Sequence, residues 1–417
     1  MATDDRADVI PDGSPDTHSD RLPHGPAAST VGDAAVELTV ELVAIDSVNS
    51  GLVPGAAGEA AIVAHLRKRL QGNGFATHVV LAPGHDDRPS LVAIGPDGPP
   101  GPTVVLTGHL DTVGVEGMPD PFTPTTRDGR LSGRGACDMK GGVAAMVVVA
   151  EQLARAGAPG RVVLALVADE EDASLGAEAV LAALPGLGVR PDVAVVGEPT
   201  WLAITSSLRG YALVEVTLTG RSAHSSQPEL GVNAVVHLGR LLVAVEERHA
   251  ELTESSASMM VTVASGGDSP FVLARSARAS VERRTVPGER SEDALAEVDS
   301  LLDGLRASDD SVDAKSRLVI AREPWRLDTD GPAASLSTAL ESALGHEAPD
   351  HDVPQRQDAP YWMEAPLWQA AGIPAVVCGP AGGGLHAVDE WVDVDQVRRY
   401  AVALAAAVER WAAEHAD

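Results

Sequence analysis

Four short, uninterrupted apolar runs constrain this chain more than any other feature: residues 104–106, 162–167, 193–196 and 375–377. A strand with one wet face alternates polar and apolar residues, whereas a run that is apolar at every position suits a strand covered on both faces. Stretches of helical composition lie between the runs, such as residues 142–156, rich in Ala, Val and Met. Strand and helix in alternation predict an α/β fold with a mainly parallel sheet covered by helices. Before the first run, Ala34, Ala35, Leu38, Leu42 and Val43 recur at helical spacing behind a candidate cap at Asp33, and a second amphipathic helix is expected over residues 59–70.

Near residue 206 the pattern changes. Residues 211–219 alternate polar and apolar, the mark of an antiparallel strand with one exposed face. A helix over 232–247, strands over 259–264 and 277–283 and a charged helix over 292–305 complete a small α+β insert. The expected division is therefore a first domain in two parts, 32–205 and 324–417, interrupted by an insert at 206–323. Residues 1–31, with Asp4, Asp5, Asp8, Asp12, Asp16 and Asp20 among Pro, Ser and His, read as a disordered acidic tail with too little apolar surface to offset ordering entropy.

Charge narrows the function. Lys and Arg number 31 against 60 Asp and Glu, a net −29 that repels phosphate backbones and anionic lipid surfaces, so nucleic-acid and membrane partners are not expected. Cys137 and Cys378 are the two cysteines, too few for a disulfide framework and not spaced for a zinc ribbon. The first thirty residues lack the basic start and apolar run of a secretory signal, and no run of about 18 apolar residues occurs. A cytoplasmic protein is the expectation.

The chemistry stands directly after the apolar runs. Run 104–106 leads into Thr107, Gly108, His109, Leu110 and Asp111; run 162–167 into Asp169, Glu170, Glu171 and Asp172; run 193–196 into Gly197 and Glu198; and run 375–377, through a glycine-rich loop, to His386. Ligands of open α/β sheets bind beyond the carboxyl ends of the strands, so these side chains are expected in one crevice. With Asp138, at the head of a helix, the set includes two imidazoles and at least four carboxylates, a mixture suited to Zn²⁺ or neighbouring first-row divalent metals. Four negative charges so crowded require cations.

These residues fall in motifs: Gly108-His-Leu-Asp-Thr112, Gly133-Arg-Gly-Ala-Cys-Asp-Met-Lys-Gly-Gly142, Asp169-Glu-Glu171, Gly197-Glu-Pro-Thr200, Gly220-Arg-Ser-Ala-His224 and Gly384-Leu-His386. Together they resemble the dinuclear-zinc metallopeptidases and amidohydrolases of peptidase family M20, the group of acetylornithine deacetylase, succinyl-diaminopimelate desuccinylase, aminoacylase and glutamate carboxypeptidase. The resemblance spans about residues 34 to 410. It implies a catalytic domain interrupted by a lid and dimerisation domain, and a cytoplasmic homodimer that contacts its partner through the lid. It further implies two Zn²⁺ ions, with Co²⁺ or Mn²⁺ as substitutes, bridged by Asp138 and held on one side by His109 and Glu198 and on the other by Glu171 and His386. Glu170 would be the general base and Asp111 the acceptor for the His109 N–H. His224 of the lid would stabilise the oxyanion, and Arg284 would bind the substrate carboxylate with help from the backbone of Gly383 and Gly384.

Each role has a plainer counterpart. Asp111 also reads as a turn cap, Arg283 as a salt-bridge partner on a strand edge, and Cys137 as a small packing residue. Where relatives carry an Asn-containing segment after the lid's Gly-Gly, this chain has Gly266-Gly-Asp-Ser-Pro-Phe271, which leaves the acyl group open. The implied reaction is hydrolysis of the amide bond of an N-acyl amino acid, with N²-acetylornithine as the leading substrate. The alternatives are a dipeptidase or carboxypeptidase, an aminoacylase, or a non-catalytic protein that binds amino-acid derivatives on the same scaffold. No G-x-S-x-G elbow or Walker motif supports a serine hydrolase or a nucleotidase.

Overall fold

The computed structural model describes residues 26–252, 255–347 and 355–416. The four apolar runs are neighbouring strands of one six-stranded sheet, in the order Ala76–Ala82, His85–Ile94, Arg161–Val167, Thr103–His109, Val193–Val196, Ala375–Val377. The last four run parallel; the first two form a hairpin joined antiparallel to Arg161–Val167. Val193–Val196 is buried at every position, as a strand covered on both faces must be. The α/β architecture with a mainly parallel sheet is thus present. The hairpin was not foreseen, because residues 76–94 mix His, Asp and Arg with their apolar positions.

Helix Gly141–Ala156 packs along the sheet and against Pro26–Val43 and Val394–Glu414. It could lie this close only because of glycine: a Cβ on Gly142 would stand 2.1 Å from the carbonyl oxygen of Gly197, the residue before Glu198. The first helix is already formed at Pro26, ahead of the start expected near Asp33. Val31 is already buried in the core, so the apolar stripe starts a turn earlier than expected. Of the expected acidic tail, residues 26–31 are therefore helical, and residues 1–25 lie outside the described residues.

A second sheet, in the order Ser258–Gly266, Ser276–Thr285, Gly210–Thr219, Asp313–Arg322, is antiparallel throughout. Helices Ala234–Leu252 and Ala294–Ser308 cover one face of it around a separate core of Val214, Val216, Leu241, Val281, Val298 and Leu302. The fourth strand was missed by sequence reading, since its first inward residues, Ala314 and Ser316, are small and its register shifts between Leu318 and Ile320. The chain leaves the first core through Thr205–Leu208 and returns through Trp325–Arg326, and these two crossings pair with each other. Gln357–Ala359 adds a parallel strand beside them, so both connections are tied to the large sheet's domain. Among the described residues, no helix is long and apolar enough to cross a membrane.

The Gly142–Gly197 approach gives a test. Gly142→Ala is expected to destabilise by about 1–3 kcal/mol through overpacking, read as a lower thermal midpoint; an unchanged midpoint would show that the helix can retreat from the Glu198 strand at no cost.

Candidate metal centre

Three of the candidate ligands come from strand ends and loops set by the sheet. His109 is the last residue of Thr103–His109, Glu198 follows Val193–Val196, and Glu171 follows the turn after Arg161–Val167. Asp138 and His386 arrive on loops. The structure brings all five together in two overlapping groups, His109, Asp138 and Glu198, and Asp138, Glu171 and His386, the candidate donor atoms of each lying within 4.8 Å of one another. Asp138 belongs to both. Its Oδ1 is 3.0 Å from His109 Nε2 and its Oδ2 is 3.3 Å from His386 Nε2, which lies 3.0 Å from Glu171 Oε2. Such separations match neighbouring ligands of one tetrahedral zinc, which stand roughly 3.4 Å apart when each bond is about 2.1 Å.

The His109 ring is held in one orientation. Nδ1 lies 2.9 Å from the carbonyl oxygen of Asp111. A carbonyl only accepts, so Nδ1 carries a proton and Nε2 is the nitrogen turned toward Asp138. Sequence reading had given this role to the Asp111 carboxylate, which stands 3.6 Å away. That carboxylate has better donors: Asn49 Nδ2 at 2.7 Å and the backbone N–H groups of Glu170 and Glu171, both at 3.2 Å. Asp111 therefore fixes the turn that presents Glu170 and Glu171, and it is neither a simple turn cap nor the direct partner of the ring.

Beneath this turn lies a buried polar network that sequence reading missed. Asp169 accepts from Asn49 and pairs with Arg88 at 2.7 Å, and Arg88 pairs with Glu59 at 2.8 Å. On the other side, the Glu390 carboxylate takes the N–H groups of Gly135, Cys137 and Asp138 at 3.0, 2.9 and 3.1 Å and the Arg134 guanidinium at 2.6 Å. Lys140, wholly buried, donates to the Ile45 carbonyl at 2.8 Å. These contacts bind the Asp138 loop to parts of the chain far away in sequence. No local spacing announces them; the nearest signal is the acidic Glu390 four residues after His386.

Electrostatics show what the cluster lacks. Burial pushes Glu198 up to about 8; His109 draws it back, while Asp138 and Glu171 add to the rise. Burial and the neighbouring Glu198 likewise raise Glu170 well above the usual carboxylate range. Asp138 goes the other way: despite its burial, hydrogen bonds from His109 and His386 hold it well below that range. His386 rises to about 10 through its bonds to Asp138 and Glu171. Carboxylates so desolvated and so close keep their charges only beside compensating cations. The donor set, the shared Asp138 and this excess of negative charge fit a pair of divalent metal ions.

Glu170, Glu171, Glu198, Asp138 and His386 line one cavity of about 260 Å³, whose apolar wall includes Tyr361, Trp362 and Met363. Trp362 meets Tyr211 of the second sheet edge-on at 6.0 Å, and the Arg284 guanidinium lies 5.2 Å over the Tyr211 ring. Arg284 also pairs with Glu282, whereas Arg283 is buried against Glu289 and Glu297 inside its own domain. Arg284 does not line the 260 Å³ cavity; it approaches it through the two rings. His224 does not join the cluster. Among the described residues its side chain bonds only within its own turn, where the Ser226 N–H donates to Nδ1 at 3.2 Å and leaves Nε2 as the protonated nitrogen. Gly382–Gly383 pair with Trp391 and Val392, and a Cβ on Gly383 would stand 2.8 Å from the Trp391 indole nitrogen. Gly384, at φ +69°, accepts the Ala387 N–H in the turn that carries His386. Cys137 is buried and its thiol is pushed up by that burial and by Asp138, which suits packing and not nucleophilic attack.

The family model described as Peptidase family M20/M25/M40 matches residues 105–410. An acetylornithine deacetylase of Myxococcus xanthus is 31% identical over 363 residues, 83% of this chain and 91% of that protein. A succinyl-diaminopimelate desuccinylase of Zymomonas mobilis is 26% identical over 392 residues, 89% of this chain and 96% of that protein. Among solved structures, a tripeptidase of Staphylococcus aureus superposes with a TM-score of 0.76 at 18% identity, covering 92% of this chain and 99% of that one.

If the Glu390 bonds hold Asp138 in place, Glu390→Ala is expected to weaken metal binding by about 10–100-fold while the protein stays folded. Metal titration with circular dichroism as the folding control checks this; unchanged affinity would remove Glu390 from the account.

Proposed function

The chain belongs to peptidase family M20/M25/M40, whose enzymes are metal-dependent, and on that premise we propose that this hydrolase removes the acyl group from an N-acyl amino acid, with N²-acetylornithine its leading substrate. The two overlapping donor groups that share Asp138 carry the reading. The two curated relatives described above are both named as deacylases, which favours an N-acyl amino acid over a dipeptide.

His109, Asp138 and Glu198 would hold one ion, and Asp138, Glu171 and His386 the other, with Zn²⁺ the first choice and Co²⁺ or Mn²⁺ accepted by the same donors. When bound, such a pair supplies Lewis-acid polarisation of a carbonyl and acidification of a water. Glu170, which lines the cavity beside these ligands but belongs to neither group, takes the proton of the attacking water and returns it to the leaving nitrogen. Its adjacency to Glu171 divides two tasks between neighbouring side chains, one moving protons and one holding metal. Arg284 would receive the substrate carboxylate in bidentate fashion, with the Tyr211 and Trp362 rings between it and the reaction centre.

His224 supplies an Nε2–H suited to a developing oxyanion, yet it sits in the insert away from its own chain's cluster. This supports a lid that closes, or a partner subunit that delivers the histidine. The apolar face that would pair two copies is at hand: Val235, Val236, Leu242 and Val243 are exposed on helix Ala234–Leu252, and Met260 and Val263 on the edge strand Ser258–Gly266. An open strand edge with such neighbours invites a second copy of itself.

Two measurements test the reading. Glu170→Gln is expected to keep its metal and lose about 10²–10⁴-fold in turnover, and chelation to abolish activity that added Zn²⁺ restores; full activity in metal-free protein, or in Glu170→Gln, would defeat it. Mixing His224→Ala with Glu170→Gln is expected to recover part of the activity if the histidine crosses between subunits; light scattering that finds only monomer, with no recovery, would assign His224 to its own chain.

A further inference from the structure

His386 has two sides. One faces the 260 Å³ cavity that holds Glu170; the other lines a second cavity of about 550 Å³, walled by the loops around Val48, Val53, Val115 and Val388. Resting on the deacylase reading above, we infer that this second cavity is a substrate subsite for an aliphatic arm that ends in a primary ammonium.

The walls argue for the arm. Five valines with Pro54 and Ala56 make their apolar part, and their loops interlock: a Cβ on Gly114 would stand 3.2 Å from Val53, and one on Gly117 3.7 Å from Val388. A preformed, apolar-sided cavity suits a chain of methylenes. Its volume is far more than an acetyl group needs, so the larger substituent of the substrate belongs there.

The charges argue for the cation. Asp46 and Glu116 stand in the lining. Asp46, half-buried, receives one backbone N–H, from Val48 at 3.0 Å, and Glu116, exposed at the mouth, has no ion pair or hydrogen bond among the described residues. The cations nearby are already engaged. Arg134, in the same lining, gives one Nη to Glu390 at 2.6 Å and the other to the Ala387 carbonyl at 3.0 Å. His386 is bound up with Asp138 and Glu171, and Lys140, buried behind, gives its ammonium to the Ile45 carbonyl while its charge is felt by Asp46 and Glu390, which leaves Glu116 as the carboxylate of this lining with no cation beside it among the described residues. An anionic arm would meet two carboxylates, and a neutral one would cover them without pairing them. An ammonium would pair with Glu116 in this acidic lining, and ornithine carries one at the end of three methylenes.

The test compares pairs of metal-loaded reactions that differ only in the ammonium. N²-acetylornithine against N²-acetylnorvaline places it on the amino-acid side; 4-aminobutyryl-alanine against butyryl-alanine places it on the acyl side. The expected result is a kcat/KM at least tenfold higher for acetylornithine than for acetylnorvaline. Glu116→Gln and Asp46→Asn should reduce that ratio severalfold, with acetylnorvaline changing less than twofold. A ratio that neither variant alters, or equal losses on both substrates, overturns the subsite. Selectivity confined to the aminobutyryl pair overturns the ornithine placement and assigns the arm to the acyl side. Dissociation constants of the same four compounds on metal-loaded Glu170→Gln separate the two readings. If the wild-type protein cleaves none of them, a preference for the ammonium that Glu116→Gln erases keeps the subsite and defeats the deacylase reading, whereas equal binding defeats the subsite.

Discussion

Everything near the centre of this molecule answers to one constraint: Asp138, Glu170, Glu171 and Glu198 are gathered with two imidazoles, His109 buried and His386 exposed on one side. Alone, the acids would repel one another and resist ionisation, as the upward displacement of Glu170 and Glu198 shows. The arrangement is favourable with compensating positive charge, and in the protein alone only the two imidazoles face the four carboxylates with it. Arg88 and Arg134 stand close, yet each is matched to a carboxylate of its own, Glu59 with Asp169 in one case and Glu390 in the other. The remaining positive charge at the cluster is left to bound ions.

The scaffold is built to hold that unfavourable group still. Parallel strands deliver His109, Glu171 and Glu198 to one end of the sheet, and close packing at Gly142 fixes the Glu198 strand against a helix. Loops do the rest only because buried carboxylates brace them. Asp111 orders the turn of Glu170 and Glu171 through two backbone N–H groups, and Glu390 orders the turn of Asp138 through three. Anchored in this way, donor atoms have little freedom to lose when an ion arrives, which is the physical meaning of preorganisation.

Much of this was legible in the order of residues. The four apolar runs marked their own strands, and the polar residues immediately after them marked the crevice, because a parallel sheet leaves its carboxyl ends on one side. His109, Glu171, Glu198 and His386 were marked this way, Asp138 was added from the head of a helix, the family resemblance named the five as ligands, and the structure brings them together. The braces were not legible. Asn49, Glu59, Arg88 and Glu390 act across gaps of up to 256 residues, and a buried ion pair looks in sequence like any two charges. The role of Asp111 was read one atom off: the sequence put an acceptor two residues after His109, but whether carbonyl or carboxylate takes the proton depends on competing donors that only the folded chain supplies. Helix Val394–Glu414 carries a regular stripe of Val394, Val397, Tyr400, Ala401, Leu404 and Val408 that was legible and went unread, whereas strand Asp313–Arg322 has small inward residues, Ala314 and Ser316, and a register shift after Leu318.

Anomalous X-ray diffraction from crystals loaded with Zn²⁺ tests the central claim most directly. The account predicts two peaks about 3.5–4 Å apart, both within bonding reach of the Asp138 carboxylate, one beside His109 and Glu198 and the other beside Glu171 and His386. A single peak, or two that do not share Asp138, would contradict it.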